Sequence, residues 1–206
     1  MIAIIDYGVG NLLSVAKALE RIGSEALITS RKEDFLEADG VILPGVGAFG
    51  DAMISLRKLE LLAALKAYAK TGKPLLGICL GMQLLFSVSE EHGDHVGLGL
   101  IPGHVIRMRG DYKIPQVGWN QLQFESKHPL VAGVEAGEFT YFVHSYLVAP
   151  IDPSVIVATT DYHQTIPAIV VKGNIVGMQF HPEKSSTTGL KLLSNFVSWS
   201  NAGGDS

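Results

Sequence analysis

The chain has 206 residues, of which 47% are hydrophobic and 17% charged, and its formal net charge is −4. A chain of this size can bury one substantial core, so we expect a single domain over residues 1–200 and a loose tail over residues 201–206. Because the net charge is negative and Lys and Arg form no cluster, nucleic acid and membrane surfaces are poor candidates for the main partner. No apolar run reaches the length of about 20 residues that spans a membrane.

The chain contains one cysteine. This excludes a disulfide framework within the chain and favours a reducing compartment. The N-terminal residues lack the charged segment and long apolar stretch of a signal peptide, so we expect a cytoplasmic protein.

The first 85 residues alternate short apolar runs with segments of helical spacing. The expected strands are Ile2–Asp6, Ala26–Thr29, Gly40–Leu43 and Leu75–Ile78, and the expected helices span 12–22 and 51–71. This order predicts the α/β class, with a flavodoxin-like, doubly wound and mostly parallel sheet that carries helices on both faces. Gly8 and Gly10 follow the first strand, but Leu13 occupies the place of the third glycine of a dinucleotide-binding loop. This argues against a Rossmann cofactor site.

Residues 93–157 are richer in β-like segments. The expected strands are 104–108, 121–124, 139–146 and 155–158, separated by turns that contain Gly, Pro and Asp. We expect these extra strands to be mixed or antiparallel and to cover one end of the sheet. Ala168–Lys172 and Ile175–Phe180 form a predicted hairpin through Gly173-Asn174, and residues 190–199 form a predicted closing helix.

The most informative stretch is Gly77-Ile78-Cys79-Leu80-Gly81, where an apolar strand gives way to a helical pattern. A strand that turns sharply into a helix needs small residues two positions on either side, and the turn lifts the central side chain above the sheet. This is the geometry of a nucleophile elbow, with sulfur in place of oxygen, and the helix N-terminus favours a thiolate. Cys79 is therefore the candidate nucleophile. The alternative is an inert cysteine that packs as a small core residue.

A glycine-rich turn, Pro44-Gly45-Val46-Gly47, follows the third expected strand. In a doubly wound sheet this turn lies at the same edge as Cys79. Its glycines permit backbone N–H groups that point outward, and with the N–H of Leu80 these could form an oxyanion hole. The alternative is an ordinary turn that needs glycine at positive φ.

The tripeptide His181-Pro182-Glu183 follows the last expected strand. Residues two apart at a strand end point the same way, so the Glu183 carboxylate can lie behind the His181 imidazole. Glu183 would orient His181, which would take the proton from Cys79 and later return one to a leaving amine. Taken alone, the tripeptide also fits a histidine without a catalytic role and a solvated acid.

His92 and His95 lie three residues apart around Gly93-Asp94. We interpret them as residues of an exposed turn and expect no metal site, because a stable site needs three or four ligands. The sequence predicts no other cofactor.

Three motifs, 44–47 (PGVG), 77–85 (GICLGMQLL) and 181–183 (HPE), together resemble the class I, or triad, glutamine amidotransferases. The similarity extends over nearly the whole chain and implies the α/β fold of that family. It implies that Cys79 attacks the side-chain amide of glutamine, which releases ammonia and leaves a γ-glutamyl thioester for water to hydrolyse. The implied oxyanion hole consists of the N–H groups of Val46, Gly47 and Leu80. The implied contacts of glutamine are Gln83, Gly47, His144, Ser145 and Tyr146.

Gln83 has an alternative role as a surface residue of its helix. Within the family, five segments most resemble the glutaminase subunits of histidine biosynthesis: 6–12 (DYGVGNL), 44–47 (PGVG), 117–120 (VGWN), 142–146 (FVHSY) and 181–185 (HPEKS). By this resemblance the partner is a separate (β/α)8-barrel cyclase subunit that receives the ammonia. The interface candidates are Asn11, Trp119, Tyr141 and Lys184, with ordinary surface or core roles as the alternative.

Two rival hypotheses stay open at this point. One is a glutaminase of the same fold that serves pyridoxal phosphate, anthranilate, aminobenzoate or GMP synthesis. The other is a catalytically silent, flavodoxin-like module in which Cys79 is buried and inert.

Overall fold

The computed structural model describes residues 1–203, which fold around a central eight-stranded sheet. One half of the sheet is parallel and has the spatial order β2-β1-β3-β4-β14. These strands are β1 (Ile2–Ile5), β2 (Ala26–Thr29), β3 (Gly40–Leu43), β4 (Leu75–Ile78) and β14 (Ile175–Met178). All residues of β1, β3, β4 and β14 are buried, as continuous apolar runs predict for strands that are covered on both faces.

The other half of the central sheet is antiparallel. Outward from β14 it consists of β13 (Thr165–Lys172), β12 (Ile156–Asp161) and β9 (Gln123–Phe124). The hairpin of β13 and β14 turns through Gly173-Asn174, as the sequence predicts. The antiparallel half therefore begins beside β14, the strand that leads to His181.

Helices cover both faces of the central sheet. They are α1 (Leu12–Arg21), α2 (Lys32–Glu37), α3 (Phe49–Lys58), α4 (Leu61–Ala69), α5 (Leu80–Leu84) and α6 (Ser186–Asn201). On one face α1 and α6 bury Leu19 and Phe196, whereas on the other α2, α3 and α4 bury Phe35, Leu56 and Leu65. The predicted doubly wound α/β fold is confirmed.

The helix expected over 51–71 is in fact two helices, α3 and α4. Glu60 lies between them with φ of 56°, in the left-handed region that ends a helix. Leu59, which belongs to the apolar pattern, is 46% exposed, whereas Leu56 and Leu61 on either side are buried. The break lets both flanking leucines reach the core, and periodicity alone does not reveal it. The short helix α2 was not predicted.

Two smaller sheets lie beside the central one. The four-stranded sheet has the order β11-β7-β5-β6, and the two-stranded ribbon pairs β8 with β10. Their strands are β5 (Phe86–Ser89), β6 (His95–Val96), β7 (Ile101–Arg107), β8 (Gln116–Gln121), β10 (Phe139–His144) and β11 (Tyr146–Pro150). The single strand expected over 139–146 was wrong, because the chain changes sheets at Ser145. The helical pattern that begins after Cys79 is short, because Phe86 already opens β5.

The last helix, α6, begins at Ser186, before the predicted residue 190. The prediction missed this first turn because Thr187 to Gly189 are polar or small and carry no apolar pattern. It ends at Asn201, one residue into the expected tail, and residues 204–206 lie outside the described residues. Within residues 1–203, no helix is both long enough and apolar enough to cross a membrane.

Three backbone segments approach one another closely where β4 ends. A Cβ atom on Gly81 would overlap the carbonyl oxygen of Leu43, and a Cβ on Gly77 would lie 2.5 Å from the carbonyl oxygen of Gly81. Between them Cys79 has φ of 55° and ψ of −111°, a backbone conformation that costs an L residue free energy. The glycines are required here because any side chain would separate the segments that hold Cys79 in place.

We predict that Gly81→Ala lowers the free energy of unfolding by about 3 kcal/mol, because the added methyl meets backbone on a buried strand that cannot move aside. Urea unfolding at neutral pH measures the loss. The control is Gly72→Ala, because Gly72 has a φ of 80°, a conformation that Gly81 does not have, and its added Cβ meets nothing within 4 Å. That control isolates a backbone cost of about 1 kcal/mol. Equal losses in the two variants would contradict the tight packing.

Candidate active site

Cys79 lies at the carboxyl end of β4, in the first position before α5. Its backbone N–H donates to the carbonyl oxygen of Met178 at 2.7 Å, which ties the turn to β14. Cys79 is 6% exposed, yet it forms part of the wall of a cavity of about 790 Å³. Cys79 is therefore shielded but open to a small molecule in that cavity.

His181 and Glu183 lie beyond the end of β14. His181 Nδ1 is 2.9 Å from Glu183 Oε1, and both side chains are almost completely buried. The two residues do not follow the alternation of a strand, as the sequence argument assumed, because Pro182–Lys184 form a short 3-10 turn. That turn folds Glu183 back behind the ring, and the backbone N–H of His181 donates to the carbonyl oxygen of Tyr141 at 3.0 Å.

The pKa of His181 is raised to about 10. Burial acts to lower it, but hydrogen bonds to the side chains of Cys79 and Glu183, together with their negative charges, outweigh burial. Since Nδ1 is occupied by Glu183, the Nε2 atom is the one left for Cys79. At neutral pH the site therefore holds an imidazolium between a carboxylate and the sulfur, an arrangement that stabilises a thiolate.

The glycine-rich turn reaches the same cavity. Val46, Gly47 and Leu80 all contribute to its wall beside Cys79, and Gly47 has φ of 94°. Within residues 1–203, the backbone N–H groups of these three residues donate no hydrogen bond to the protein. A Cβ on Gly45 would lie 2.7 Å from the hydroxyl oxygen of Tyr7, so this glycine is what lets the turn pack against the elbow.

Gln83 is buried, which excludes the alternative of a surface helix residue. Its Nε2 donates to the carbonyl oxygen of Tyr146 at 3.1 Å and to Oε1 of Gln179 at 3.2 Å. Gln83 and the segment from His144 to Tyr146 all face the cavity. The structure therefore brings together, on α5 and at the junction of β10 and β11, residues for which the family resemblance implies substrate binding.

His144 is held by both ring nitrogens. Nδ1 lies 2.8 Å from the carbonyl oxygen of Tyr146, and Nε2 lies 2.9 Å from Oε1 of Gln116. Its pKa is lowered to about 4, because burial and the nearby positive charge of His181 outweigh the raising effect of the hydrogen bond to Tyr146. His144 is therefore neutral at pH 7, and its neutral ring can donate only one hydrogen bond at a time.

Sequence reasoning missed the charged side of the cavity. Glu90, Glu91, Arg107 and Arg109 lie along it. Glu91 Oε2 accepts a hydrogen bond from the N–H of Phe49 at 2.7 Å, and Glu90 Oε1 lies 3.3 Å from Nη2 of Arg109. No motif marks these residues in the sequence, because only the pairing of β5 with β7 brings them to Cys79.

His92 also reaches the cavity, whereas His95 packs over Gly50. Across the described part of the chain, no group of three or more His, Cys, Asp or Glu side chains is arranged to hold a metal ion.

Of the four interface candidates, Lys184 lines the cavity, and Trp119 and Tyr141 lie on the ribbon of β8 and β10, which also carries Val143 of the cavity wall. Trp119 on β8 is 50% exposed and packs against Tyr141 on β10, with ring centroids 5.7 Å apart. Lys184 is exposed at the cavity edge, and Asn11 precedes α1, which contacts the 3-10 turn that holds Lys184. A core role for Trp119 is therefore excluded.

Residues 3–199 match the family model of the class-I glutamine amidotransferases. Relatives described as imidazole glycerol phosphate synthase subunit HisH come from Bacillus cereus (strain B4264), Geobacillus kaustophilus (strain HTA426) and Aquifex aeolicus (strain VF5). They are 52%, 51% and 50% identical to this chain, over 95%, 96% and 94% of it and 93%, 96% and 94% of the relatives.

Solved structures share the fold at low sequence identity. A glutamine amidotransferase is 20% identical with a TM-score of 0.77, over 98% of this chain and 100% of that one. PurLQS from Thermotoga maritima is 22% identical with a TM-score of 0.77, over 96% of this chain and 97% of that one. The structural likeness supports the fold alone, whereas the family model and the relatives carry the assignment. The chain belongs to the class I glutamine amidotransferase family.

Proposed function

We propose that Cys79, His181 and Glu183 are the triad of this glutaminase, and that the ammonia it releases passes to a separate cyclase subunit. The chain is the glutaminase subunit of imidazole glycerol phosphate synthase, since relatives of that name are about half identical to it over nearly their full length. The observation that carries the triad assignment is that Cys79 and His181 line one cavity and that Cys79 helps to raise the pKa of the ring, while Glu183 Oε1 lies 2.9 Å from its Nδ1. A silent module would have no use for this arrangement.

In the first half of the reaction, the Cys79 thiolate attacks the carboxamide carbon of glutamine. The carbonyl oxygen becomes an oxyanion, for which the N–H groups of Val46, Gly47 and Leu80 are the nearby backbone donors of the cavity wall. His181 gives its proton to the departing nitrogen, and ammonia leaves as the C–N bond breaks. The product is a γ-glutamyl thioester on Cys79.

In the second half, water attacks the thioester. His181, now neutral, takes a proton from that water, and the electron pair of the C–S bond returns to sulfur. Glutamate leaves, and the pair of thiolate and imidazolium is restored. Glu183 is a positioning residue here, because its carboxylate fixes the ring through Nδ1 and stabilises its positive charge.

The α-ammonium and α-carboxylate groups of glutamine would both meet complementary groups in the cavity. Both N–H donations of Gln83 are used within the protein, so its Oε1 is left to accept from a substrate N–H. The carboxylate of Glu91 lies on the same wall and suits the α-ammonium group. We assign the α-carboxylate to Gly47 and to the backbone from His144 to Tyr146.

The outer face of the ribbon of β8 and β10 is the surface on which we expect the partner to dock. Trp119, Val117, Phe139 and Val143 alternate outward and are each 37% to 51% exposed. The carbonyl oxygen of Val143 lies 3.8 Å from the Cys79 sulfur, so this apolar face adjoins the reaction site. An exposed apolar patch of this kind is typical of a protein interface.

The partner that fits this face is a (β/α)8-barrel cyclase subunit, which would receive ammonia before bulk water protonates it. It would use the ammonia to make imidazole glycerol phosphate and AICAR. We place Trp119, Tyr141, Lys184 and Asn11 in the heterodimer interface. A cytoplasmic location is also proposed, since the mechanism requires the single cysteine to stay reduced.

We predict that Cys79→Ala and Cys79→Ser abolish glutamine-dependent turnover, because both variants lack the thiolate. Glutamate release is measured for the chain alone and with the cyclase and its nucleotide ligand, where the wild type is expected to rise strongly. With ammonium salts in place of glutamine, the variant complexes should still form the product. If both activities disappear, the substitutions disrupt assembly and the result does not support a nucleophile.

We predict that His144 makes the fold sensitive to acid. Its pKa is depressed in the folded state, so it contributes stability that is complete above pH 6.5 and is lost as the pH falls towards about 4. Between pH 7 and pH 4 the wild type should lose about 3 kcal/mol more unfolding free energy than His144→Gln. Urea unfolding at both pH values measures this. The exposed His104→Gln should behave as the wild type, and an equal loss in His144→Gln would contradict the assignment.

We predict that Trp119→Ala weakens the cyclase complex by about 30-fold or more, because a half-exposed tryptophan beside the site is a typical interface hot spot. Titration calorimetry measures the dissociation constant, and thermal unfolding of the free chain checks its fold. The matched control is Ile151→Ala, which removes an exposed apolar side chain outside the ribbon.

Lys184→Ala should reduce stimulation by the partner more than it reduces stability. Unchanged affinity and stimulation would remove these residues from the interface.

A further inference from the structure

Gln179 is a completely buried amide that bridges two residues of the site. It follows β14 directly, and its backbone N–H donates to the carbonyl oxygen of Ala168 at 2.9 Å. Its side-chain Oε1 lies 3.2 Å from Nε2 of Gln83, and its Nε2 lies 3.9 Å from the sulfur of Cys79. Neither the triad nor the substrate contacts described above use this side chain.

The orientation of the Gln179 amide is fixed by its neighbours, in three steps. The carbonyl oxygen of Tyr146 can only accept, so the atom of Gln83 that faces it must be the NH2 group. That NH2 group can only donate, so Gln179 must turn its oxygen towards Gln83. The NH2 group of Gln179 is then left to face the sulfur of Cys79. The carbonyl oxygen of Tyr146 thus fixes the orientation of the Gln83 amide, which in turn fixes that of Gln179, so that an N–H donor faces the sulfur.

We propose that Gln179 is a further catalytic residue, whose side-chain N–H donates to the Cys79 sulfur and stabilises it as a thiolate. This proposal rests on the proposed role of Cys79 as the nucleophile. A hydrogen bond to the charged form of a group favours that form, and a sulfur anion accepts more strongly than a neutral thiol or a thioester does.

The donor acts at two points of the reaction. Before attack, Gln179 and His181 both stabilise the thiolate and hold the sulfur towards the cavity. During hydrolysis of the thioester, the C–S bond breaks and its electron pair goes to sulfur, so the same N–H stabilises the leaving group. In the intermediate the sulfur is neutral, and the contact contributes less.

The other groups around the sulfur make the donor necessary. The carbonyl oxygen of Val143, at 3.8 Å, favours the thiol because it can only accept. Tyr7 is buried, and its hydroxyl donates to the carbonyl oxygen of Pro44 at 2.7 Å, so it does not donate to the sulfur. His181, with Glu183 behind it, and Tyr7 interact electrostatically with Cys79. Among the described side chains, Gln179 places an N–H donor 3.9 Å from the sulfur, while His181 acts on it through the charge of its ring.

The test uses the single cysteine of the chain, whose alkylation by iodoacetamide is unambiguous. The rate is measured against pH for the full-length wild type and for Gln179→Met, which keeps the volume but has no donor. We expect the midpoint of the profile to move up by about one pH unit, because a hydrogen bond to a charged group is lost. The matched control is Gln116→Met, another completely buried amide, which contacts His144 and Asn120 but not the sulfur. Its midpoint should equal that of the wild type.

A second variant keeps the test decisive if circular dichroism shows that Gln179→Met does not fold. Gln83→Met leaves Gln179 in place but removes the contact that fixes its amide, so the midpoint should move in the same direction by a smaller amount. An unshifted midpoint in a folded Gln179→Met, or in Gln83→Met where only that variant folds, would overturn the proposal and leave Gln179 a packing role. The alkylation profile does not depend on glutamine turnover. Failure of the proposed nucleophile role would instead appear as glutamine-dependent activity in Cys79→Ala, and failure of the glutaminase assignment as no glutamate release by the wild type with the cyclase present.

Discussion

The site depends on the close approach of three backbone segments at the end of β4. Gly77 and Gly81 remove the side chains that would keep these segments apart, and the chain is then forced into a left-handed conformation at Cys79. The strain of that one residue is held by the buried strands on either side of it. Its result is that a sulfur atom stands above the sheet edge, where the other functional segments also end.

A second constraint is electrostatic. Moving a carboxylate, an imidazolium or a sulfur anion from water into the protein costs free energy. In the row of Glu183, His181 and Cys79, the opposite charge of a neighbour offsets that cost. Glu183 compensates the charge of His181 and helps to raise the pKa of that ring, while burial lowers the pKa of His144. Of the two histidines in this cavity, His181 is therefore positively charged and His144 neutral at neutral pH.

Much of the fold follows from local patterns. The parallel strands, the elbow at Cys79 and the hairpin through Gly173-Asn174 were predicted correctly, because continuous apolar runs and glycine positions report local geometry. The break at Glu60 was missed, because it depends on how two helices share one core. The charged wall with Glu91 and the bridging amide of Gln179 were missed for a similar reason. Their neighbours are distant in the sequence, and no spacing within a single segment encodes such contacts.

The short helix α5 has a consequence for how products leave the site. It has five residues, and Leu85 alone separates it from β5, whose sheet continues directly to Glu90 and Glu91. Cys79 and the charged wall of the cavity are therefore joined by a short segment whose helix is entirely buried. We expect any widening of the cavity at its other walls, at the exposed Val46 and at Ser145, where the chain changes sheets beside the apolar ribbon.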